Sequence, residues 1–150
     1  MKFQPGDPDF ASRVRASFAR QGAMKLIGAE LATVEPGHVV IELPYRADLT
    51  QQHGFLHGGV VTAVLDSACG YAALSLMPAG TAVLTVELKV NLVAPARGER
   101  FLARGRVVRP GRTLMVCAGE VVAEGPGAER TVAILQGTMM ALRDREGLAD

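Results

Sequence analysis

The chain has 150 residues, 16 Lys and Arg against 15 Asp and Glu for a net charge of +1, and 49% hydrophobic residues. That length suits one domain, and the near-neutral balance gives no electrostatic footing for nucleic-acid or membrane-surface binding. Cys69 and Cys117 sit in apolar runs without metal-site spacing, and MKFQPGDPDF has no apolar leader, so a reducing cytoplasm is expected.

In chain order, Asp9 can cap a short helix on which Phe10, Val14 and Phe18 recur at i, i+4 and i+8, with Gly22 as its stop. From Met24 the pattern becomes strand-like through LIGAELATV and HVVIELPY. The turn Glu35-Pro36-Gly37 between them predicts a strand pair. A polar stretch from Arg46 to Leu56 then leads into the central feature of the chain.

That feature is Gln51 to Met77, QQHGFLHGGVVTAVLDSACGYAALSLM. After the glycine turn at His57-Gly58-Gly59 it runs without proline and with Asp66 as its one charge, apolar almost all round. Such a helix is predicted to be buried, and a carboxylate inside it is expensive unless paired or used. At about 100° per residue, Gly59, Thr62, Ala63, Gly70 and Ala73 share the face of Asp66. Small residues there mean close approach by a second backbone or a ligand. A membrane span is rejected, because a central Asp costs roughly 2.5–3.5 kcal/mol on insertion and the flanks lack basic anchors.

After Pro78 and Gly80, Ala82, Leu84, Val86, Leu88, Val90 and Leu92 alternate against Thr81, Thr85, Glu87, Lys89 and Asn91, predicting a strand with one face on the core. Pro95 and Gly98 end it. Phe101, Ala103, Gly105 and Val107 alternate against Arg100, Arg104 and Arg106 in the next strand, the arginines reading as a solvated face or a subunit contact. Arg109-Pro110-Gly111-Arg112 turns into a strand over Leu114–Ala123, and Gly125-Pro126-Gly127 into a last one over Thr131–Leu142. The charged tail from Arg143 is expected to fray.

The expected fold class is therefore α+β: an antiparallel sheet of about six strands wrapped around one long central helix, with a short N-terminal helix, which is the hotdog arrangement. No repeat or linker divides the chain, so 1–150 reads as one domain, with an N-terminal helix in 1–23, the core in 24–142 and a tail in 143–150.

The run Gly54-Phe55-Leu56-His57-Gly58-Gly59, followed by Asp66 nine residues after the His, resembles the signature of the PaaI-type hotdog thioesterases. Thr85–Ala96 (TVELKVNLVAPA) and the later GRTL at 111–114 are also similar to that family, so the resemblance covers about residues 24–142. It implies hydrolysis of an acyl-CoA, often aryl or phenylacetyl, with no metal or bound prosthetic group. It also implies a homodimer that commonly pairs into a homotetramer.

Thioester hydrolysis needs donors on the carbonyl oxygen and a base or nucleophile at its carbon. The amides around Gly58 and Gly59, at a helix N-terminus, can supply the first, and Asp66 the second, by attack or by activating water. At 1.5 Å per residue these lie roughly 12 Å apart on one axis, so one carbonyl reaches both only if two helices run antiparallel across a two-fold. By resemblance, the Gly58 amide polarises the carbonyl and Thr85 sits near the acid. Where the family often has Asn, this chain has Gln51, with Gln52 as its substitute for orienting water or the carboxylate. His57 is a candidate catalytic residue or a loop-bonding one. Arg109, Gly111 and Arg112 could meet the nucleotide phosphates of CoA through charge-assisted bonds. The other function classes left open are a hotdog hydratase or dehydratase and a non-catalytic acyl-CoA-binding protein.

Overall fold

The computed structural model of the chain describes residues 3–143, 145, 147, 148 and 150. Its elements run α1 (Phe10–Ala19), α2 (Gly22–Ile27), β1 (Glu30–Glu35), β2 (His38–Pro44), a 3₁₀ turn (Ala47–Leu49), α3 (Gly58–Leu74), β3 (Ala82–Leu92), β4 (Arg100–Arg109), β5 (Leu114–Glu124) and β6 (Arg130–Leu142). The six strands form one antiparallel sheet in the order β1-β2-β4-β5-β6-β3. α3 packs across its inner face, touching β2 through β6, so the hotdog arrangement read from the sequence is the observed one.

Apolar character on most sides of α3 is what lets a sheet curl round it. Val61, Val64, Leu65, Ala68, Cys69 and Ala72 are all buried, and full burial of one side chain of Leu65's size is worth roughly 1.5–3 kcal/mol. The central strands come unusually close. A Cβ added at Gly105 of β4 would lie 2.4 Å from the Ala68 carbonyl carbon, and one at Gly119 of β5 would lie 2.8 Å from Leu65 Cδ1. Both strands therefore carry no side chain where they cross the helix. Among the described residues, no helix is long and apolar enough to cross a membrane.

α1 is fastened to the far end of α3 by Arg13. Its guanidinium donates to the carbonyls of Leu74 at 3.0 Å, Met77 at 2.7 Å and Pro78 at 2.5 Å. Leu74 is the last residue of α3, and Met77 and Pro78 follow in the turn after it, so the guanidinium ties the helix end to its exit loop. The expected Asp9 cap is replaced: Asp9 makes no side-chain cap bond, and the buried Asp7 accepts the Asp9 amide at 2.9 Å while lying 3.5 Å from Arg13. A carboxylate two residues earlier serves both the helix start and the buried guanidinium.

Two other expectations are corrected. The strand read from Met24 begins only at Glu30, because residues 22–27 form α2. Gly28 closes α2 at φ 75°, with the Ala29 amide returning to the Met24 carbonyl at 3.0 Å, a left-handed helix ending that glycine allows at no steric cost. The apolar run LIGA thus belongs to a helical turn, not to an alternating strand.

β3 is also not the uniform strand its alternation suggests. Thr85 pairs with Met139 and Glu87 with Thr138, leaving Val86 as a bulge. One extra residue reverses the facing of everything beyond it. Val83 and Thr85 therefore turn toward α3 together with Leu88 and Val90, whereas Leu84 and Val86 are 52% and 53% exposed. On β4 the alternation holds, with Phe101, Ala103 and Val107 buried. Arg100 and Arg104 lie on the outer face, Arg100 against Glu42 and Glu124 and Arg104 against Glu120 and Glu129. In the tail, Asp144, Glu146 and Ala149 lie outside the described residues. Asp150 accepts from Ser17 Oγ at 2.6 Å and pairs with Arg20 at 3.2 Å.

Candidate active site

The start of α3 is held by its loop. The Leu56 amide donates to the Ala96 carbonyl at 3.1 Å and the His57 amide to the Leu49 carbonyl at 2.9 Å. His57 is the N-cap. Its Nδ1 accepts the Gly59 amide at 2.9 Å, and its carbonyl accepts the Val60 and Val61 amides. Both Gly58 and Gly59 were expected to offer open amides. The imidazole takes the second, and the Gly58 amide alone has no acceptor among the described residues. Leu92 lies over this position, its Cδ1 2.5 Å from where a Gly58 Cβ would be.

A groove of about 910 Å³ opens here, lined by Gln51, His57, Gly58, Gly59 and Thr62 and by apolar groups such as Leu92 and Pro95. Gln51 Oε1 accepts the His53 amide. Gln52 is exposed beside His53, with their nitrogens 3.3 Å apart, and does not line the groove. Of the two candidate amides, only Gln51 lines the groove.

Asp66 lies elsewhere, half-buried in a separate cavity of about 260 Å³ lined by Ser67, Gly70, Tyr71, Val83 and Thr85 and by Ser17, Arg20 and Gln21 from the N-terminal helical segment. Thr85 Oγ1 donates to Asp66 Oδ1 at 2.8 Å. The bulge at Val86 makes this bond possible, since without it Thr85 and Leu88 would face opposite sides of the sheet. Asp66 Oδ2 accepts no hydrogen bond among the described residues. The groove and this cavity share no lining residue. In one chain, Gly58 and Asp66 are therefore not brought together, as the roughly 12 Å axial separation requires.

Arg109, Gly111 and Arg112 form the exposed β4–β5 turn. A Cβ at Gly111 would come within 2.2 Å of the Leu114 carbonyl oxygen, so only glycine closes the turn this tightly. Leu114 pairs with Met140, which pairs with Leu84 next to Thr85. At about 4.8 Å per strand, the turn borders the Thr85 end of the sheet, roughly 10 Å away laterally.

The thiols take no part in either cavity. Cys69 and Cys117 are free and fully buried. Burial pushes Cys117 up to about 12 and raises Cys69 as well, with Cys117 and Asp66 adding to the latter. Burial likewise raises Tyr71, opposed by its bond to Ser17. Among the described residues, no three His, Cys, Asp or Glu side chains converge as a metal site requires.

The contribution of α1 to the Asp66 cavity was not anticipated. A usable signal existed: Ser17 lies three residues after Val14, on the buried stripe of the helix, where an unpaired hydroxyl is costly.

A family model described as the thioesterase superfamily matches residues 53–129. The crystal structure of a thioesterase family protein from Silicibacter pomeroyi is 55% identical and superposes with a TM-score of 0.88, covering 89% of this chain and 98% of that one. Escherichia coli PaaI, named an acyl-coenzyme A thioesterase, is 24% identical over 81% of this chain and 84% of its own. Its structure superposes with a TM-score of 0.80 at 21% identity, covering 94% of this chain and 96% of that one. A Saccharolobus solfataricus relative is 36% identical over 61% of this chain, which spans 65% of that protein's length.

Proposed function

The chain belongs to the thioesterase superfamily and is a thioester hydrolase of hotdog fold, and we propose that its substrate is an acyl-CoA, cleaved by Asp66 in a site shared between two subunits. The observation that carries this reading is the Thr85–Asp66 bond. It fixes one carboxylate oxygen and leaves the other toward a cavity, the arrangement an acid needs to present a lone pair in a set direction.

In the proposed site, two α3 helices run antiparallel across a two-fold, so that the Gly58 amide of one chain meets Asp66 of the other. The amide donates to the thioester carbonyl oxygen and stabilises the negative charge that develops there. Asp66 Oδ2 either attacks the carbonyl carbon or removes a proton from the water that does. In the first route the C–S bond breaks, CoA leaves as thiolate and water hydrolyses the mixed anhydride. In the second, water oxygen bonds to carbon and the thiolate takes up the proton. Both consume one water and yield a free acid and CoA. Gln51, half-buried beside Gly58, orients water or the acid from the partner's side, and Arg109 and Arg112 receive the nucleotide phosphates. His57 has its Nδ1 engaged by the Gly59 amide, which suits a structural cap better than the proton relay of a hydratase.

Release of CoA from a panel of acyl-CoAs, measured for the native chain and for Asp66→Asn, tests the proposal. Turnover falling at least about 10²-fold, the scale of a lost acid/base group, is expected. Undiminished turnover would remove Asp66 from the chemistry.

A further inference from the structure

The outer face of the sheet carries a rank of residues in register across five strands. Lys89 of β3 pairs with Gln136 of β6, Gln136 with Ala118 of β5, Ala118 with Arg106 of β4, and Arg106 with His38 of β2. Two residues along, Asn91 pairs with Ile134, Ile134 with Glu120 and Glu120 with Arg104. A groove of about 580 Å³ lies over these two ranks. Ala118 gives it a low floor, a methyl group between longer side chains on either side. At about 4.8 Å per strand, the Lys89 and Arg106 backbones stand roughly 14 Å apart across it.

Charge in this groove is not balanced as it is elsewhere on the face. Arg100 sits against Glu42 and Glu124, and Arg104 against Glu120 and Glu129. Glu120, the carboxylate lining the groove, is thereby engaged, and its other oxygen accepts from Thr131 at 3.4 Å. Among the described residues, Lys89 and Arg106 pair with no carboxylate. In a chain of net charge +1, two uncompensated cations lining one hollow concentrate positive potential there. Between them, the Asn91 and Gln136 amides can both donate and accept, and Ile134, 43% exposed, offers an apolar surface. Cations alone would suit any anion. Cations with two amides and an exposed apolar side chain suit a phosphate joined to a flat heterocycle.

We propose that this groove is a second ligand site, for a nucleoside diphosphate, with Lys89 and Arg106 on the phosphates, Ile134 under the base and the Asn91 and Gln136 amides on its edge. The groove shares no lining residue with the Gly58 groove or the Asp66 cavity, so the proposal does not depend on Asp66 chemistry. β3 is the element that joins it to the first of these. Lys89 and Asn91 face outward, while Val90 and Leu92 line the Gly58 groove from the other side.

Calorimetric titration of the intact, assembled protein with ADP and with inorganic pyrophosphate tests the site. ADP should bind at least about tenfold more tightly than pyrophosphate, and Ile134→Ser should erase that preference. Lys89→Ala and Arg106→Ala should each weaken ADP at least about tenfold, the scale of a lost hydrogen bond to a charged group. Arg100→Ala, on the same face but outside the groove, should leave both affinities unchanged. Tm should hold in all four variants, because these side chains are exposed. Absent ADP binding, or equal affinity for the two probes, overturns the proposal, the latter marking an adventitious ion only. So does ADP binding that Arg112→Ala abolishes and Lys89→Ala and Arg106→Ala leave intact, which would put the nucleotide on the β4–β5 turn. A change of assembly size in Lys89→Ala or Arg106→Ala also overturns it, because the groove would then be a contact between copies.

Discussion

A site shared between subunits can be tested by breaking each half in a different chain. Gly58 is the first residue of α3, a position where proline is well tolerated because its missing N–H would be unsatisfied within the helix anyway. The preceding His57 has φ −62° and ψ 134°, the extended conformation that a residue before proline prefers. The new ring would displace the Leu92 side chain, whose Cδ1 lies 2.5 Å from the Cβ position and which, at 58% exposure, is free to rotate. Gly58→Pro therefore deletes the one amide at the start of α3 that has no acceptor among the described residues, and little else. Loss of such a donor costs about 10²–10³ in kcat, and Asp66→Asn costs at least about 10². Neither variant should turn over alone. In a refolded equimolar mixture, however, a heterodimer holds one site with both lesions and one with neither. With random pairing, activity should return to about one quarter of native in a C2 dimer with two shared sites. CoA release can be followed with a thiol reagent, since both protein thiols are buried. Activity that stays at the sum of the two residual levels would refute the shared site, because each chain would then need its own Gly58 and Asp66.

Thr85→Val removes the bond to Asp66 Oδ1 and should lower kcat about tenfold, the lower end of the 1.5–3 kcal/mol for a bond to a charged group. Thr85→Ser should retain activity, and Thr85→Val should cost nothing further in Asp66→Asn, as a double-mutant cycle would show. Arg112→Ala should raise KM for an acyl-CoA far more than for the matching acyl-pantetheine, and equal effects would remove Arg112 from nucleotide binding. Cys117 and Cys69 have raised folded pKa values, so their contribution to stability is complete below the unfolded value of 9.0 and is lost as pH rises above it. Urea unfolding should show stability lower at pH 10 than at pH 8 by about 1.4 kcal/mol per thiol in total.

Where local pattern determines structure, the sequence is readable. The span Gly58–Leu74 has no proline and one charge, and the alternation of β4 survives in its burial, so helix, strands and fold class follow from periodicity. What was illegible arises between distant segments. The bulge at Val86 depends on how β3 registers with β6, and a period-two reading cannot see one extra residue. It therefore assigned Leu84 to the core and Thr85 away from it. Capture of the Gly59 amide by His57 depends on the rotamer of a capping side chain. The wall that Ser17 and Gln21 add to the Asp66 cavity joins residues some fifty positions apart in the sequence. Resemblance placed Thr85 near the acid, and the structure supplies the cause.

The misread face of β3 bears on the proposed assembly. β3 is an edge strand, yet Leu84, Val86 and Leu92 are each more than half exposed. Long apolar edges are ones that proteins ordinarily blunt with charge, proline or a covering element. The seam of α3 around Asp66 is also uncovered, with Gly59 and Ala63 exposed, although the helix is apolar enough to be buried on every side. One arrangement answers both. If two β3 edges met across a two-fold, each would gain a partner strand, and the two α3 helices would run antiparallel with their small-residue seams facing. The same operation would set the Gly58 amide of one chain over Asp66 of the other, as the proposed site requires. In the proposed dimer, the exposed Leu84, Val86 and Leu92 of the edge, the stripe of small residues and the separation of donor from acid within a chain would share one cause.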